Sequence, residues 1–216
     1  MRRRVPAVAI VAAIVGAMAP TALASIVQIT NTGTVSPPSC PSNPCAVISR
    51  TTAMQVIDSG DPGPFVIKRP GRIVRWSITL ALPSATQIHF FDTHEGGTAR
   101  AALAVLRRVR GLSYELIAES PVVHLQPYFG RTATFKLAAW IPVVKGDIVA
   151  LTVPTWVPAL ALNYPSDTSW RASRPTSRCT DVARQTMQSV IGSHVGYDCL
   201  YQTALVTYAA NETTSH

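Results

Sequence analysis

Residues 72–80 read RIVRWSITL. Val74, Trp76, Ile78 and Leu80 are apolar, while Arg75, Ser77 and Thr79 between them are polar. Side chains of a strand point alternately to two faces, so this run is a strand with one dry and one wet face. A helix would scatter the same four apolar residues around its circumference. Outward from this stretch the texture repeats: short runs rich in Val, Ile, Thr, Phe and Trp, separated by Pro, Gly, Asp and Ser. Further strands are expected at 53–58, 65–68, 87–91, 114–120, 133–140, 147–153, 159–163 and 197–209. Pro70-Gly71 and Lys145-Gly146-Asp147 supply turn chemistry. Residues 99–108, ARAALAVLRR, have good helix propensity, but their neighbourhood of strands favours a strand over 101–108. Residues 180–191 are expected to be a loop with some helix, which Thr180 would cap. Nine to eleven short strands without βαβ spacing indicate an all-β, antiparallel β-sandwich, jelly-roll-like, with an immunoglobulin-like sandwich as the alternative.

The N-terminus carries the three parts of a secretory signal. Arg2, Arg3 and Arg4 form a positive region, residues 5–19 are uncharged and apolar, and Ala22-Leu23-Ala24 is a small-x-small site. Cleavage is expected between Ala24 and Ser25, which makes the mature protein secreted and extracellular. The apolar run is shorter than the roughly 20 residues of a spanning helix, and no later segment is long and apolar enough to be transmembrane after cleavage. Residues 25–45 read as an extended, Pro-rich leader in which Ile26, Val27 and Ile29 suit a short strand. A single domain is expected over 46–210, followed by a frayed tail at 211–216.

Cys40, Cys45, Cys179 and Cys199 are the four cysteines. An even count in an exported chain indicates two disulfides with three connectivities open. The pairing Cys40–Cys45 with Cys179–Cys199 is favoured because each closes a local loop. A zinc site fits poorly, since Cys40 and Cys45 only just reach the usual two-to-four-residue spacing and Cys179 and Cys199 are twenty apart with only His194 near. The net charge is +8, or +5 without the three signal arginines. The basic residues are scattered, with one cluster at Arg107, Arg108 and Arg110. No basic stripe or nucleic-acid motif is present, so nucleic acid is not an expected partner, and an anionic surface outside the cell is the remaining charged class.

The densest polar cluster is HFFDTHEGG at 89–97, with His89, Asp92, His94 and Glu95. It reads as a polar strand end entering a Gly-Gly turn, without the helical H-E-x-x-H spacing of zinc proteases. Ser120 and His124 are near each other, yet no G-x-S-x-G elbow exists. Glu115 and Glu119 are expected on a wet strand face. No phosphate loop or dinucleotide fingerprint occurs, and no cofactor or metal is implied. The aromatics are more suggestive. Trp140, Trp156 and Trp170 lie near turns, as do Tyr128 and Phe129. A flat exposed ring can stack on a sugar, with a neighbouring Arg bonding its hydroxyls. The alternative is that these rings cap the ends of the core. Trp156, bracketed by Pro154 and Pro158, and Trp170 beside Arg171 are the candidate ligand-binding residues.

Four stretches, CPSNPCAVISRTT, GRIVRWSITLALPSATQIHFFD, SPVVHLQPYFGRT and VVKGDIVALTVPTWVPALAL with WRASR, resemble a family of secreted actinobacterial proteins of uncharacterised function. The likeness spans residues 38 to 209 and implies a secreted β-sandwich. It brings no activity, ligand or catalytic residue. The expected function is a secreted, non-catalytic binding or structural module, with a carbohydrate or cell-envelope glycan as the ligand class. A secreted hydrolase is the alternative, to be favoured by a convergent acid pair or a His-Asp-Ser set in one pocket.

Overall fold

A computed structural model describes residues 25–214 of the chain. The signal-peptide reading falls on residues 1–24 and lies outside the described residues. Two antiparallel sheets enclose the core. The smaller contains β1 (Ser25–Ile29), β4 (Gly71–Thr79), β8 (Thr132–Val143) and β15 (Tyr208–Thr214), in the order β1-β15-β4-β8. The larger is built from β2 (Ile48–Asp58), β5 (Arg100–Arg110), β6 (Ser113–Glu119), β9 (Ile148–Val157), β11 (Ser169–Ala172), β12 (His194–Gly196) and β13 (Cys199–Gln202). Its order is β12-β6-β5-β9-β2-β11-β13, with β3 (Asp61–Pro62) on β2 and β7 (Val123–His124) on β5. A short ribbon pairs β10 (Leu160–Leu162) with β14 (Ala204–Val206). The architecture is all-β and sandwich-like, with curled sheets.

The alternation in β4 holds over Trp76, Ile78 and, just past its end, Leu80, and breaks at Val74, where a register shift between Ile73 and Arg75 puts Ile73 in the core instead. Ile73, Trp76 and Ile78 are buried, while Arg72 and Arg75 are exposed. They face Leu103, Val105, Val149, Leu151 and Val153 of the larger sheet in one apolar core. Phe65 and Tyr208 stack within it at 4.2 Å. The interior strand β5 shows no alternation, because both its faces are covered: residues 101–106 are all buried. A strand dry on both sides reads as a continuous apolar run, which is why this stretch also resembled a helix. Its outer side belongs to a second cluster of Met54, Ala104, Leu106, Tyr114, Leu116, Ala150 and Tyr197. The irregular segment 180–198 covers that cluster. Buried Gln188 fastens it, donating to the Tyr114 and Ser193 carbonyls and accepting from the Tyr197 hydroxyl at 2.9 Å.

Four expectations are corrected. The strand over 87–91 is instead a helix, α1 (Ala85–His94). Ser84 and Gln87 form a capping box, each side chain bonding the other's backbone N–H. Ile88 and Phe91, three apart, pack that helix onto the core. The tail is not frayed at 211–214: those residues continue β15, which lies between β1 and β4. The leader's first residues therefore form an integral edge strand and not a preamble to the domain. Finally, the single strand expected over 197–209 is broken into three. Thr203 sits at φ 60 between β13 and β14, a conformation unfavourable for a β-branched residue. The 65–68 strand is reduced to one bridge, Val66 to Ile148. Both local disulfides are formed, Cys40–Cys45 and Cys179–Cys199.

Candidate functional site

A cleft of 480 Å³ opens between β1, β15 and the segment 64–69. Register places the side chains. Glu212 pairs with Ile73 and Ala210 with Trp76, both core residues, so Glu212 is carried on the inner face of β15. Val27 and Ile29 stand opposite Glu212 and Ala210 on β1 and supply an apolar wall, which Pro64 and Val66 continue. Lys68 and Arg69 line the cleft from the other side and are exposed. Their segment is tied down by hydrogen bonds from Ile67 N–H to the Asp147 carbonyl at 2.8 Å and from Val149 N–H to the Phe65 carbonyl at 3.0 Å.

Two acceptors in this cleft lack partners. Glu212 is 3% exposed, forms no hydrogen bond or ion pair among the described residues, and has Oε1 fully buried. Burial holds its carboxyl above the ordinary carboxylate range, and the Arg69 charge partly opposes that shift. The side chain passes directly over Gly71, where any Cβ would collide with Oε1 and Cδ. Asn31 is 8% exposed; its Nδ2 donates to the Val206 carbonyl at 3.1 Å, and its Oδ1 is buried without a partner. The loop carrying Asn31 is rigidly placed, because the buried Asp58 carboxylate accepts from the N–H groups of Thr32 at 2.6 Å and Gly33 at 3.0 Å. Glu212 and Asn31 thus line the cleft beside an apolar wall and two exposed cations, with Glu212 Oε1 and Asn31 Oδ1 themselves closed off from solvent and unpartnered. Such a concave site with a few convergent polar groups is suited to holding a ligand.

The aromatic candidates lie elsewhere. Trp156 is 0% exposed, and its Nε1–H donates to Asp92 Oδ1 and the Gly97 carbonyl, both at 2.9 Å. Phe91 and Phe129 pack on its ring at 4.9 and 5.6 Å. It is a core lid, with no free face for stacking. Trp170 is 5% exposed and stacks on Tyr201 at 4.4 Å, with a buried Nε1–H that lacks a partner. Arg171 donates to the Tyr197 and Asp198 carbonyls. Trp156 stands on β9 and Trp170 on β11, so β2 separates them. The exposed indole is Trp140 at 49%, in the C-terminal third of β8, with the Arg72 guanidinium 4.1 Å over its ring.

The remaining polar candidates have structural partners. Asp92 binds the Gln126 amide and the Trp156 indole, joining α1 to the core. Glu95 lies 4.0 Å from Arg50. Ser120 Oγ accepts from Leu103 N–H and donates to the Pro121 carbonyl, away from His124. Glu115 is 3.9 Å from His194. Glu119 is not on a wet face: one of its oxygens is buried without a partner, and burial raises its carboxyl. No group of metal-ligating side chains converges among the described residues.

Comparisons with family models, curated proteins and solved structures find no match to this chain.

The residues that make the cleft were not singled out from sequence. Glu212 was assigned to the tail, although Tyr208, Ala210 and Glu212 sit at period two and so share a face. A carboxylate ending an inward-facing series is the signal that would have found it.

Proposed function

We propose that the chain is a secreted, non-catalytic binding module of jelly-roll topology whose cleft takes an acidic glycan of the cell envelope. The pairing order supports the topology. The eight principal strands pair as nested partners, β1 with β15, β2 with β9, β4 with β8 and β5 with β6, and the ribbon rolls up through β15–β4 and β9–β5. A doubly folded antiparallel ribbon of eight strands is the jelly-roll plan. The immunoglobulin alternative places its first strand beside its second, whereas here the first pairs with the last. The resemblance to secreted actinobacterial proteins and the N-terminal signal pattern support export.

The observation that carries the binding reading is Glu212. A buried carboxyl with no partner opposes folding, and proteins retain such features mainly where they serve a site. On a small opening of the cleft wall, sugar hydroxyls would donate to the now closed-off oxygens of Glu212 and Asn31, while the C–H faces of the ring rest on Val27, Ile29, Pro64 and Val66. Lys68 and Arg69 would meet a carboxylate or phosphate substituent. Glycoside hydrolysis uses two acids flanking one bond, and among the described cleft residues Glu212 is the one carboxyl. That favours a binding module over the hydrolase alternative.

The test is a binding screen of the mature protein, starting at Ser25, against acidic and neutral envelope glycans. Acidic glycans should bind, and replacing Lys68 and Arg69 by Ala should weaken binding at least about tenfold, since each charge-assisted hydrogen bond contributes ~1.5–3 kcal/mol. Equal retention of neutral and acidic glycans would remove the role given to the two cations. Binding indifferent to Glu212→Ala would remove the cleft itself.

A further inference from the structure

The outer face of the larger sheet holds a second concavity, separate in chemistry from the cleft. It measures 330 Å³, and its walls include Met54, Val56, Val66 and Ile148, with Gln55, Arg108 and Tyr114 as its polar residues; the Gln55 amide is already engaged by the Ile57 carbonyl and the Val206 N–H. It exists because segment 180–198 covers only part of the apolar cluster on that face. Met54 and Tyr114 belong to that cluster, and Val56 and Ile148 pack against it.

Arg108 and Tyr114 are direct cross-strand partners on β5 and β6. Side chains opposite one another in an antiparallel pair project from the same face with Cβ atoms about 5 Å apart. The Tyr114 ring is fixed edge-on against Tyr197 at 5.2 Å. Tyr114 is 6% exposed, yet its hydroxyl forms no hydrogen bond among the described residues. Arg108 uses only Nε, donating to the Gly111 carbonyl at 2.8 Å. Its terminal nitrogens have no partner, and no acid pairs with it or with neighbouring Arg110 among the described residues. Arg107, by contrast, is neutralised by a two-pronged bond to the buried Asp147 at 2.8 and 3.1 Å. The arginine cluster is therefore divided in use: one member is structural, and another stands uncompensated at an apolar pocket.

A planar guanidinium and a phenolic O–H beside one another are donors suited to the two oxygens of a carboxylate. Apart from Gln55, whose side-chain amide is committed to Ile57 and Val206, the other side chains lining the pocket are apolar. We infer that this pocket binds a small amphipathic carboxylate, with Arg108 and Tyr114 holding its head and Met54, Val56 and Ile148 receiving its hydrocarbon. The ligand is thus of the fatty-acid class, distinct from the glycan assigned to the cleft, and the two assignments stand or fall separately.

The test titrates the protein from Ser25 onward with decanoate, decanol and decylamine. Binding is followed by calorimetry and by the methyl NMR signals of Met54 and Ile148. Decanoate should bind and shift both methyl signals, and the other two ligands should bind at least tenfold more weakly. Tyr114→Phe keeps the ring that packs on Tyr197 and isolates the hydroxyl; it should weaken decanoate severalfold while leaving the melting temperature unchanged. Arg108→Gln should weaken it further, and Arg110→Gln, outside the pocket, should not. Equal affinity for decanol, methyl shifts confined to other residues, or no binding of decanoate would each overturn the inference.

Discussion

Replacing Trp156 by Ala should be among the most destabilising single changes in this domain. The side chain is wholly buried, packed by Phe91 and Phe129, and its indole N–H joins the Asp92 carboxylate and the Gly97 carbonyl. Emptying a packed aromatic site costs about 3–5 kcal/mol. The lost indole donor adds about 1–3 kcal/mol, because the Gly97 carbonyl is left without this partner and Asp92 retains only Gln126. The loss should therefore be about 5 kcal/mol. In a domain of this size each kcal/mol lowers the melting temperature by about 2–4 °C, so a fall of about 10–20 °C is expected. Trp156→Phe separates the contributions, since it keeps most of the ring and removes the N–H; it should cost about 2 kcal/mol. Urea unfolding followed by circular dichroism measures both. A Trp156→Ala protein within 1 kcal/mol of wild type would refute the lid assignment and return this ring to the surface.

Other expectations follow from the same packing. Cys199→Ser should cost more stability than Cys45→Ser in denaturant unfolding, since loop closure contributes about 3 kcal/mol for twenty residues and about 2 for five, and Cys199 is also wholly buried in β13. Ser84→Ala removes the helix cap and should cost about 1 kcal/mol, read from the unfolding midpoint; no change would contradict the capping box. Glu212 has its folded-state carboxyl raised by burial, so it favours the fold only while protonated. Wild-type stability from this group is present below the ordinary glutamate value of about 4.3 and is lost as pH rises through the raised folded value. Glu212→Gln should abolish that fall, making the variant the more stable protein at neutral pH; a parallel pair of stability–pH curves would contradict it.

What could be read from the sequence depended on how many faces each strand buries. β4 is wet on one side, so its alternation was plain in RIVRWSITL. β5 is dry on both sides, so its residues 101–106 carry no period, and a strand and a helix looked alike. α1 was misread because Ile88, Phe90 and Phe91 mimic a short apolar run; Ser84 and Gln87, the capping pair, held the contrary signal. The disulfides were legible because local closure left few rivals. The cleft was not, since it brings together residues 27–31, 64–69 and 212, which only the pairing of the first strand with the last makes neighbours. Trp156 drew attention through its flanking prolines, but proline rigidity says nothing of exposure. The donor pair at Arg108 and Tyr114 was likewise hidden, because only the β5–β6 register sets them opposite each other.

Chemical-shift mapping of the ¹⁵N-labelled protein from Ser25 onward, during titration with an acidic envelope glycan, tests the cleft assignment most directly. The perturbed amides should cluster at residues 27–32, 66–69 and 210–214, and Glu212→Ala should remove the perturbation. Shifts centred on Trp140, or on 169–172 around Trp170 and Arg171, with the cleft silent, would contradict it.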